Sequence, residues 1–170
     1  MNIIIRKART EDAEAIANIK ISGWQTAYKG IIEDDFLDNM NINEEIEKRK
    51  NNIKNGANII VAELDNEIVG FCLYRDYIKN QEENLVADCE ISSLYVKPEL
   101  KRNGIGKKLM NYVIDDLKSK GKKKMILGCL RENYPSRKFY EKMGCKFLNY
   151  DKAQFGDKEY ELVIYEFKLF

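Results

Sequence analysis

The sequence predicts a mixed α+β fold, with a central, mostly antiparallel sheet of about six to seven strands and about four flanking helices. Three observations lead to this prediction. Short β-rich runs bounded by turn residues recur along the chain, apolar residues repeat at helical spacing, and helical segments link strands in the second half. At 170 residues with 44% hydrophobic residues, we expect a single domain, 1–170, with a full core.

The first half of the chain predicts three strands and two helices. The β-rich runs lie at residues 3–6, 58–64 and 67–74. Asp65-Asn66, between the last two runs, is typical of a tight hairpin turn. Thr10 can cap a helix that continues toward Trp24 and Tyr28. The charged segment at residues 44–54 predicts a second helix that faces solvent.

The second half predicts four strands and two helices. The strands are expected at about residues 85–96, 125–130, 145–150 and 158–169. From Ile105 the apolar positions form a helical stripe that ends at Gly121. Another helix is expected from about Pro135 to Met143. Gly156 marks the turn between the last two strands.

The composition excludes several classes of function. The 29 basic and 28 acidic residues nearly cancel, so no basic excess indicates nucleic-acid binding. No apolar run approaches the ~18 residues of a membrane helix, and no signal-peptide pattern is present, so we expect a cytoplasmic protein without a membrane partner. The chain contains no histidine, which excludes Ser-His-Asp and Cys-His mechanisms and any His-ligated metal. We therefore expect no metal cofactor.

The cysteines predict buried thiols rather than a metal site or a disulfide framework. They are widely spaced, without a Cys-x-x-Cys pair, at Cys72, Cys89, Cys129 and Cys145. Free, buried thiols are typical of a reducing compartment, which agrees with a cytoplasmic protein.

The most informative segment is the loop at residues 101–106, Lys-Arg-Asn-Gly-Ile-Gly, which follows an apolar run at 91–96 and opens a helical pattern. Gly104 and Gly106 let the backbone approach a ligand without a Cβ in the way. The unpaired N–H groups at a helix start and the helix dipole both favour an anion there. Four cations surround this point: Lys101, Arg102, Lys107 and Lys108. The loop therefore predicts a phosphate-binding site.

Two common phosphate-binding motifs do not match this loop. A Walker loop requires Gly-x-x-x-x-Gly-Lys-Ser/Thr, and the chain contains no such string. A dinucleotide fingerprint requires a third glycine at position 109, where Leu109 stands. A simple helix-opening turn with solvated lysines is the alternative interpretation.

A second motif follows at residues 133–145, with the pattern Asn-x-x-Ser-x-x-Phe-Tyr-x-x-x-Gly-Cys. Together with the strand at 89–96 and the loop at 101–106, it resembles the signatures of the Gcn5-related N-acetyltransferase superfamily, in its bacterial-type small-molecule branch. That family's loop reads Gln/Arg-x-x-Gly-x-Gly/Ala, so Lys101 keeps the charge but lacks the planar fork of arginine. In the later motif, Ser136 replaces alanine and Cys145 replaces phenylalanine.

The resemblance implies acetyl-CoA as cosubstrate, held where the strand at 89–96 splays from the strand at 125–130. The pantetheine arm would pair with the backbone of Leu94, Tyr95 and Val96. The pyrophosphate would lie on the loop and the helix start, at Lys101, Arg102, Asn103, Gly104, Ile105, Gly106 and Lys107. Further acetyl-CoA contacts are implied for Asn133, Ser136 and Tyr140. Asn133 can also cap the helix that follows it.

The resemblance also implies roles in proton transfer. An amine with an ordinary pKa of about 10.4 is mostly protonated at pH 7, so a base must remove its proton directly or through water. Glu90, fourteen residues before Gly104, has a spacing similar to the catalytic Glu of the family's histone acetyltransferases. Asp88 is an alternative base, and a salt bridge is an alternative role for Glu90. A backbone N–H near Leu94 would stabilise the developing negative charge. Tyr140 would donate a proton to the departing thiolate, or serve only as a core tyrosine.

The segment at residues 24–32 lines the acceptor site in the family. The resemblance thus implies substrate contacts by Trp24, Tyr28 and Glu33, together with Ser92 on the strand face of Glu90. Acidic residues at 33–35 next to aromatic rings suit a cationic amine such as a polyamine. Core packing of Trp24 and an ordinary helix start at 33–35 are the alternatives.

The leading hypothesis is an N-acetyltransferase that moves the acetyl group of acetyl-CoA to a primary amine by direct attack in a ternary complex. A non-catalytic CoA-binding sensor and a protein N-terminal amine acetyltransferase are the alternatives. The sequence leaves a monomer and a homodimer equally open.

Overall fold

The computed structural model describes residues 1–77 and 87–170. Within them lie seven strands, β1 Ile3–Lys7, β2 Asn58–Leu64, β3 Glu67–Asp76, β4 Cys89–Val96, β5 Lys124–Leu130, β6 Lys146–Phe155 and β7 Lys158–Lys168. Five helices accompany them, α1 Ala13–Ala27, α2 Asp34–Asp38, α3 Ile42–Lys54, α4 Ile105–Ser119 and α5 Tyr134–Lys142. The predicted mixed α+β fold is confirmed. None of the described helices is both long and apolar enough to cross a bilayer.

The sheet is mostly antiparallel, as predicted. Its strand order is β1-β2-β3-β4-β5-β7-β6. The β1–β2, β2–β3, β5–β7 and β6–β7 pairs are antiparallel, whereas β4 and β5 run parallel. The parallel register runs from Cys89–Met125 to Ile91–Leu127 and ends there, although β4 continues to Val96. A ladder of this short length agrees with what the family resemblance implies for these two strands.

By packing, the chain divides into two compact units, Met1–Tyr74 with Ser93–Val113, and Arg75–Ser92 with Ile114–Phe170. The core of the first unit joins α1 to strands β2 and β3. Its buried members are Ile16, Ile19, Ile59, Val61, Ile68 and Phe71. The turn between β2 and β3 has Asp65 and Asn66 at φ of 51° and 66°, so the predicted hairpin is confirmed.

In the first unit, helix α4 packs directly on β3 because residue 70 is glycine. A Cβ on Gly70 would lie 3.0 Å from the carbonyl oxygen of Tyr95, 3.2 Å from Leu109 Cδ1 and 3.4 Å from Ile105 Cγ2. Ile105 and Leu109 are only 1% and 0% exposed. The first turns of α4 are therefore seated on the strand, and the loop that leads into α4 is held with them.

In the second unit, α5 is fixed to strand β7 by one tyrosine. The ring of Tyr165 lies 6.1 Å from that of Tyr140, and both side chains are buried. The Tyr165 hydroxyl donates to Glu141 Oε1 at 2.9 Å and accepts from Arg137 Nε at 3.2 Å. Packing and hydrogen bonds together hold the helix in one orientation on the sheet.

The structure corrects the prediction for the start of the first helix. Thr10 does not cap the first helix, because a 3₁₀ turn at Thr10–Asp12 precedes α1 and Asp12 is the N-cap residue. Helix α1 extends through Trp24 to Ala27 and so includes the first part of the segment at residues 24–32. The acidic residues at 33–35 start the short helix α2, so the ordinary helix start considered for them is present.

The charged sequence of α3 predicted a helix that faces solvent, but the structure buries one of its charged residues. Arg49 is only 2% exposed and bonds to Glu45 Oε2 at 3.3 Å. Its guanidinium also lies 5.9 Å from the ring centre of Phe71. A buried cation is stable here because a carboxylate and an aromatic ring surround it.

The end of one strand also differs from the prediction. Strand β6 extends to Phe155, five residues beyond its predicted end at residue 150, because its hairpin with β7 is longer. The predicted beginning of β4 near Leu85 lies outside the described residues.

Candidate active site

The loop before α4 is a tight turn with two left-handed residues. A 3₁₀ turn at Pro98–Leu100 leads into it, and Arg102 and Gly104 both adopt left-handed backbone angles, with φ of 68° and 79°. The side chain of Asn103 stabilises the turn by donating to the carbonyl oxygens of Leu100 and Lys101, at 3.1 and 3.3 Å. The helix then begins, with Lys108 N donating to Gly104 O at 3.1 Å.

The surface of this loop fits an anionic group such as a diphosphate. A Cβ built on Gly104 would find no heavy atom within 4 Å, so the space beside this residue is open. The side chains of Lys101, Arg102, Lys107 and Lys108 are exposed around it. Gly106 lies in the first turn of α4, where the free N–H groups and the helix dipole attract negative charge. The structure thus brings together the glycines and cations that the sequence singled out.

The last residues of β4 include Tyr95, whose hydroxyl is held by a hydrogen bond. Leu94, Tyr95 and Val96 are half-buried, and Ser92 is exposed. The Tyr95 hydroxyl accepts a bond from Trp24 Nε1 at 2.7 Å. Burial raises the pKa of Tyr95, against the opposing effect of hydrogen bonds with Tyr28 and Trp24, so its hydroxyl is neutral at pH 7.

Trp24 and Tyr28 lie together with Tyr95, as parts of one aromatic cluster. The rings of Trp24 and Tyr28 meet edge to face at 5.0 Å, and Tyr28 is buried. Lys20 Nζ lies 5.5 Å from the ring centre of Trp24 and bonds to Glu45 Oε1 at 2.8 Å. Sequence reasoning missed this lysine, although its position four residues before Trp24 on one helix was a usable signal. Glu33 is exposed at the start of α2.

The two candidate bases in the second unit have different surroundings. Asp88 accepts bonds from the backbone N–H groups of Lys123 and Lys124, at 2.9 and 3.0 Å. Burial alone would raise the pKa of Asp88, but these two bonds outweigh it and lower the pKa below its usual range. Glu90 instead pairs with Arg75, whose Nε lies 2.5 Å from Glu90 Oε1.

These contacts assign Asp88 to holding the backbone and leave Glu90 as the more available carboxylate. The Glu90 side chain is 20% exposed and its arginine partner is 63% exposed, so water reaches the pair. The salt bridge considered for Glu90 from the sequence is present. The role of Glu90 as a base stays a prediction.

Helix α5 carries the second motif. Asn133 is buried, and its Oδ1 accepts from Ser136 N at 3.4 Å, so it caps the helix as the sequence suggested. Tyr140 is buried, with its ring 5.4 Å from that of Phe139. Contacts of Asn133, Ser136 and Tyr140 with acetyl-CoA stay predictions.

The four cysteines are buried and free, as predicted. Burial raises the pKa of Cys129 to about 11 and that of Cys145 to about 12. Burial and the neighbouring Asp88 raise the pKa of Cys89 to about 12, and burial raises that of Cys72 as well. All four thiols are therefore protonated at neutral pH and unsuited to act as bases or nucleophiles.

Comparison with known proteins shows similarity along nearly the whole chain. The family model described as the acetyltransferase (GNAT) family matches residues 21–145. A spermidine N(1)-acetyltransferase of Thermoplasma acidophilum is 29% identical over 170 residues, covering 95% of this chain and 99% of the relative. An uncharacterised N-acetyltransferase of Bacillus subtilis is 27% identical over 139 residues, covering 82% of this chain and 78% of the relative.

Solved structures show the same similarity in three dimensions. The PaiA N-acetyltransferase of Thermoplasma acidophilum, in complex with coenzyme A, has a TM-score of 0.74 and 26% identity over 99% of both chains. A putative acetyltransferase of Salmonella typhimurium, with its cofactor acetyl-CoA, has a TM-score of 0.74 and 22% identity, covering 99% of this chain and 95% of the other. At 22% identity, the likeness to the Salmonella protein demonstrates the shared fold alone.

Replacing Asp88 with asparagine tests whether this carboxylate holds the backbone or removes a proton. An amide offers one acceptor where the carboxylate offers two, so Asp88→Asn should lower the free energy of unfolding at pH 7 by about 1 kcal/mol. Because the pKa of Asp88 is lowered on folding, its contribution exists above the ordinary pKa of about 3.9 and disappears as the pH falls through the lowered value. The difference between the two proteins should therefore shrink in acid.

Urea unfolding at pH 7 and at pH 3 measures this difference, and Asp157→Asn in the exposed β6–β7 turn is the matched control. We expect the pH profile of kcat/KM to keep its shape in Asp88→Asn. A loss of activity above a hundredfold at unchanged stability would instead identify Asp88 as the base.

Proposed function

The chain belongs to the acetyltransferase (GNAT) family, and from that premise we propose that it acetylates the primary amine of a small cationic acceptor such as a polyamine. The acetyl group comes from acetyl-CoA, and the amine attacks it directly in a ternary complex. The observation that carries the proposal is the loop at residues 101–106, where exposed cations surround a left-handed glycine at the start of α4.

Each part of acetyl-CoA has a proposed partner in the first unit. The diphosphate is held by Arg102, Lys101 and the N–H groups of the first turn of α4, because these groups present positive charge at one point. The pantetheine arm pairs with the backbone of β4 at residues 94–96. This assignment is supported by the open space beside Gly104 and by the end of the β4–β5 register before those residues.

Proton transfer is assigned to two side chains of the second unit. Glu90, directly or through water, removes the proton of the ammonium so that a neutral amine can attack. A backbone N–H near Leu94 stabilises the negative oxygen that forms on the acetyl carbonyl. Tyr140 donates a proton to the departing sulfur, because its phenol O–H is a proton donor.

A cationic acceptor is proposed from the acidic start of α2. Three consecutive side chains there are exposed, those of Glu33, Asp34 and Asp35. The ammonium of Lys20 already lies against the Trp24 ring, so the carboxylates are better placed than this ring to attract a further cation. The 29% identity with a spermidine N(1)-acetyltransferase along 95% of this chain supports the same substrate class.

Valine substitution at two matched glycines tests the acetyl-CoA loop. Gly104 and Gly121 both have left-handed backbones, with φ of 79° and 74°, and both have open space where a Cβ would be. A β-branched residue strains either backbone, so both variants should lose comparable stability. Only Gly104→Val should also weaken acetyl-CoA binding, by more than tenfold, because its side chain would occupy the diphosphate position. Calorimetry with folded protein measures both affinities, and unchanged affinity in Gly104→Val would refute the loop assignment.

Removing one hydroxyl tests the proposed general acid. Tyr140→Phe keeps the ring and its packing, so acetyl-CoA affinity should change little, whereas kcat should fall by about 10²–10⁴-fold. Tyr134→Phe, at an exposed position on the same helix, is the control and should keep wild-type kcat. Single-turnover kinetics isolate the chemical step. Wild-type rates for Tyr140→Phe under those conditions would exclude a role in proton donation.

Charge neutralisation tests the acceptor class. In the triple variant Glu33→Gln, Asp34→Asn and Asp35→Asn, KM for spermidine should rise severalfold at low salt. KM of the wild-type enzyme should itself rise with ionic strength, because salt screens exposed charges. A triple control, Glu11→Gln, Glu14→Gln and Glu44→Gln, changes the net charge equally but should leave KM unaltered. If neutral amines are acetylated better than spermidine, the acceptor proposal fails while the acetyltransferase activity stands.

A further inference from the structure

Three exposed aromatic side chains share one surface of the second unit. Tyr134, Phe147 and Tyr150 are 61%, 53% and 52% exposed. The rings of Phe147 and Tyr150 lie 5.0 Å apart, and the Arg131 guanidinium covers Tyr150 at 4.6 Å. Arg137 lies 5.6 Å from the ring of Tyr134 and donates to the carbonyl oxygen of Arg131 at 2.9 Å. These five residues, the β6 patch, form one continuous surface.

The patch lies along a strand that ends the sheet. Strand β6 is last in the strand order and pairs with β7 along its length. Most of its ten residues are exposed, on both faces of the strand. An edge strand presents N–H and C=O groups that can pair with another chain. A second strand can therefore extend the sheet at this edge.

A bulge at Leu148 decides which side chains of β6 share a face. The pairing with β7 shifts between Phe147 and Asn149, and Leu148 is left out of the register. Phe147 is opposite Tyr165 and Tyr150 is opposite Val163, two residues buried on the same face of β7. Phe147 and Tyr150, three residues apart, thus share a face, which a regular strand would not allow.

We propose that β6 pairs in antiparallel fashion with β6 of a second copy of this chain, about a two-fold axis at Asn149. In this register Leu148 stays unpaired, as it does toward β7, so that Asn149 is opposite Asn149 of the other copy, Phe147 is opposite Tyr150, and Lys146 is opposite Asp151. Opposite residues then lie on the same face, because Lys146 and Asp151 share the other side of β6. The pairing joins two aromatic pairs and two pairs of opposite charge.

The complementarity favours a second copy over an unrelated partner. The sequence of β6 supplies both members of each pair, as a two-fold interface requires. The formal net charge of +1 leaves little repulsion between copies. Two-fold pairing also covers both β6 edges at once, so the assembly closes as a dimer at this edge.

A single cysteine at the two-fold axis tests the register. In Asn149→Cys the two introduced cysteines would have Cα atoms about 4.5–5.5 Å apart, within disulfide range. Mild oxidation should therefore yield a covalent dimer. Gln154→Cys, five residues further along the same strand, should yield none, because its two introduced cysteines would lie far apart on opposite sides of the two-fold axis. The native thiols are buried and free, so they do not compete in the folded protein. Equal cross-linking of both variants, or of neither, would overturn the proposal.

Charge reversal tests the same interface without a covalent bond. Lys146→Asp and Asp151→Lys each place like charges opposite one another, so each should weaken the dimer by at least tenfold in sedimentation equilibrium. The double variant restores opposite charges and should recover the wild-type association. Weak specific dimers are expected to form at concentrations on the order of 100 μM. A wild-type protein that is still monomeric at about this concentration would also refute the proposal.

Discussion

The absence of a side chain at Gly70 is the packing constraint behind the loop that we propose to hold the diphosphate of acetyl-CoA. Any Cβ there would meet the backbone of Tyr95 and the side chains of Ile105 and Leu109 at 3.0 to 3.4 Å. The side chains that seat α4 on β3 would then have to shift by a few tenths of an ångström. Ile105, one of them, directly follows the loop that contains the left-handed residues Arg102 and Gly104. A packing contact inside the protein thus determines where positive charge is presented at its surface.

The surroundings of the ionisable groups narrow the proton chemistry to few residues. With no histidine in the chain and four buried, protonated thiols, proton transfer is left to carboxylates, tyrosines, lysines and water. The structure then separates two neighbouring carboxylates, since backbone N–H groups engage Asp88 whereas Glu90 pairs with a solvent-exposed arginine. Burial keeps Tyr95 neutral, which suits a hydrogen-bonding rather than an ionised role. Local environment, more than residue type, distinguishes these groups.

The sequence predicted features that depend on neighbours along the chain. The Asp65-Asn66 turn, the helical stripe from Ile105 and the glycines of the loop all follow from local rules. Features that depend on distant residues were missed. Arg49 is buried because of Phe71, a contact that the charged pattern of α3 conceals. Gly70 could have been noticed, since a lone glycine inside a strand indicates a close backbone approach. The β6 bulge leaves no comparable signal.

The aromatic cluster of α1 gives the protein an intrinsic fluorescent probe. Trp24 is the one tryptophan of the chain, so its near-ultraviolet fluorescence comes from a single, known place. The indole is half-buried, bonded through Nε1 to Tyr95 and approached by the Lys20 ammonium. Emission from an indole depends on such polar neighbours. Any molecule that displaces Lys20 or separates Trp24 from Tyr95 will change the colour or the yield of that emission, without a label and without altering the chain.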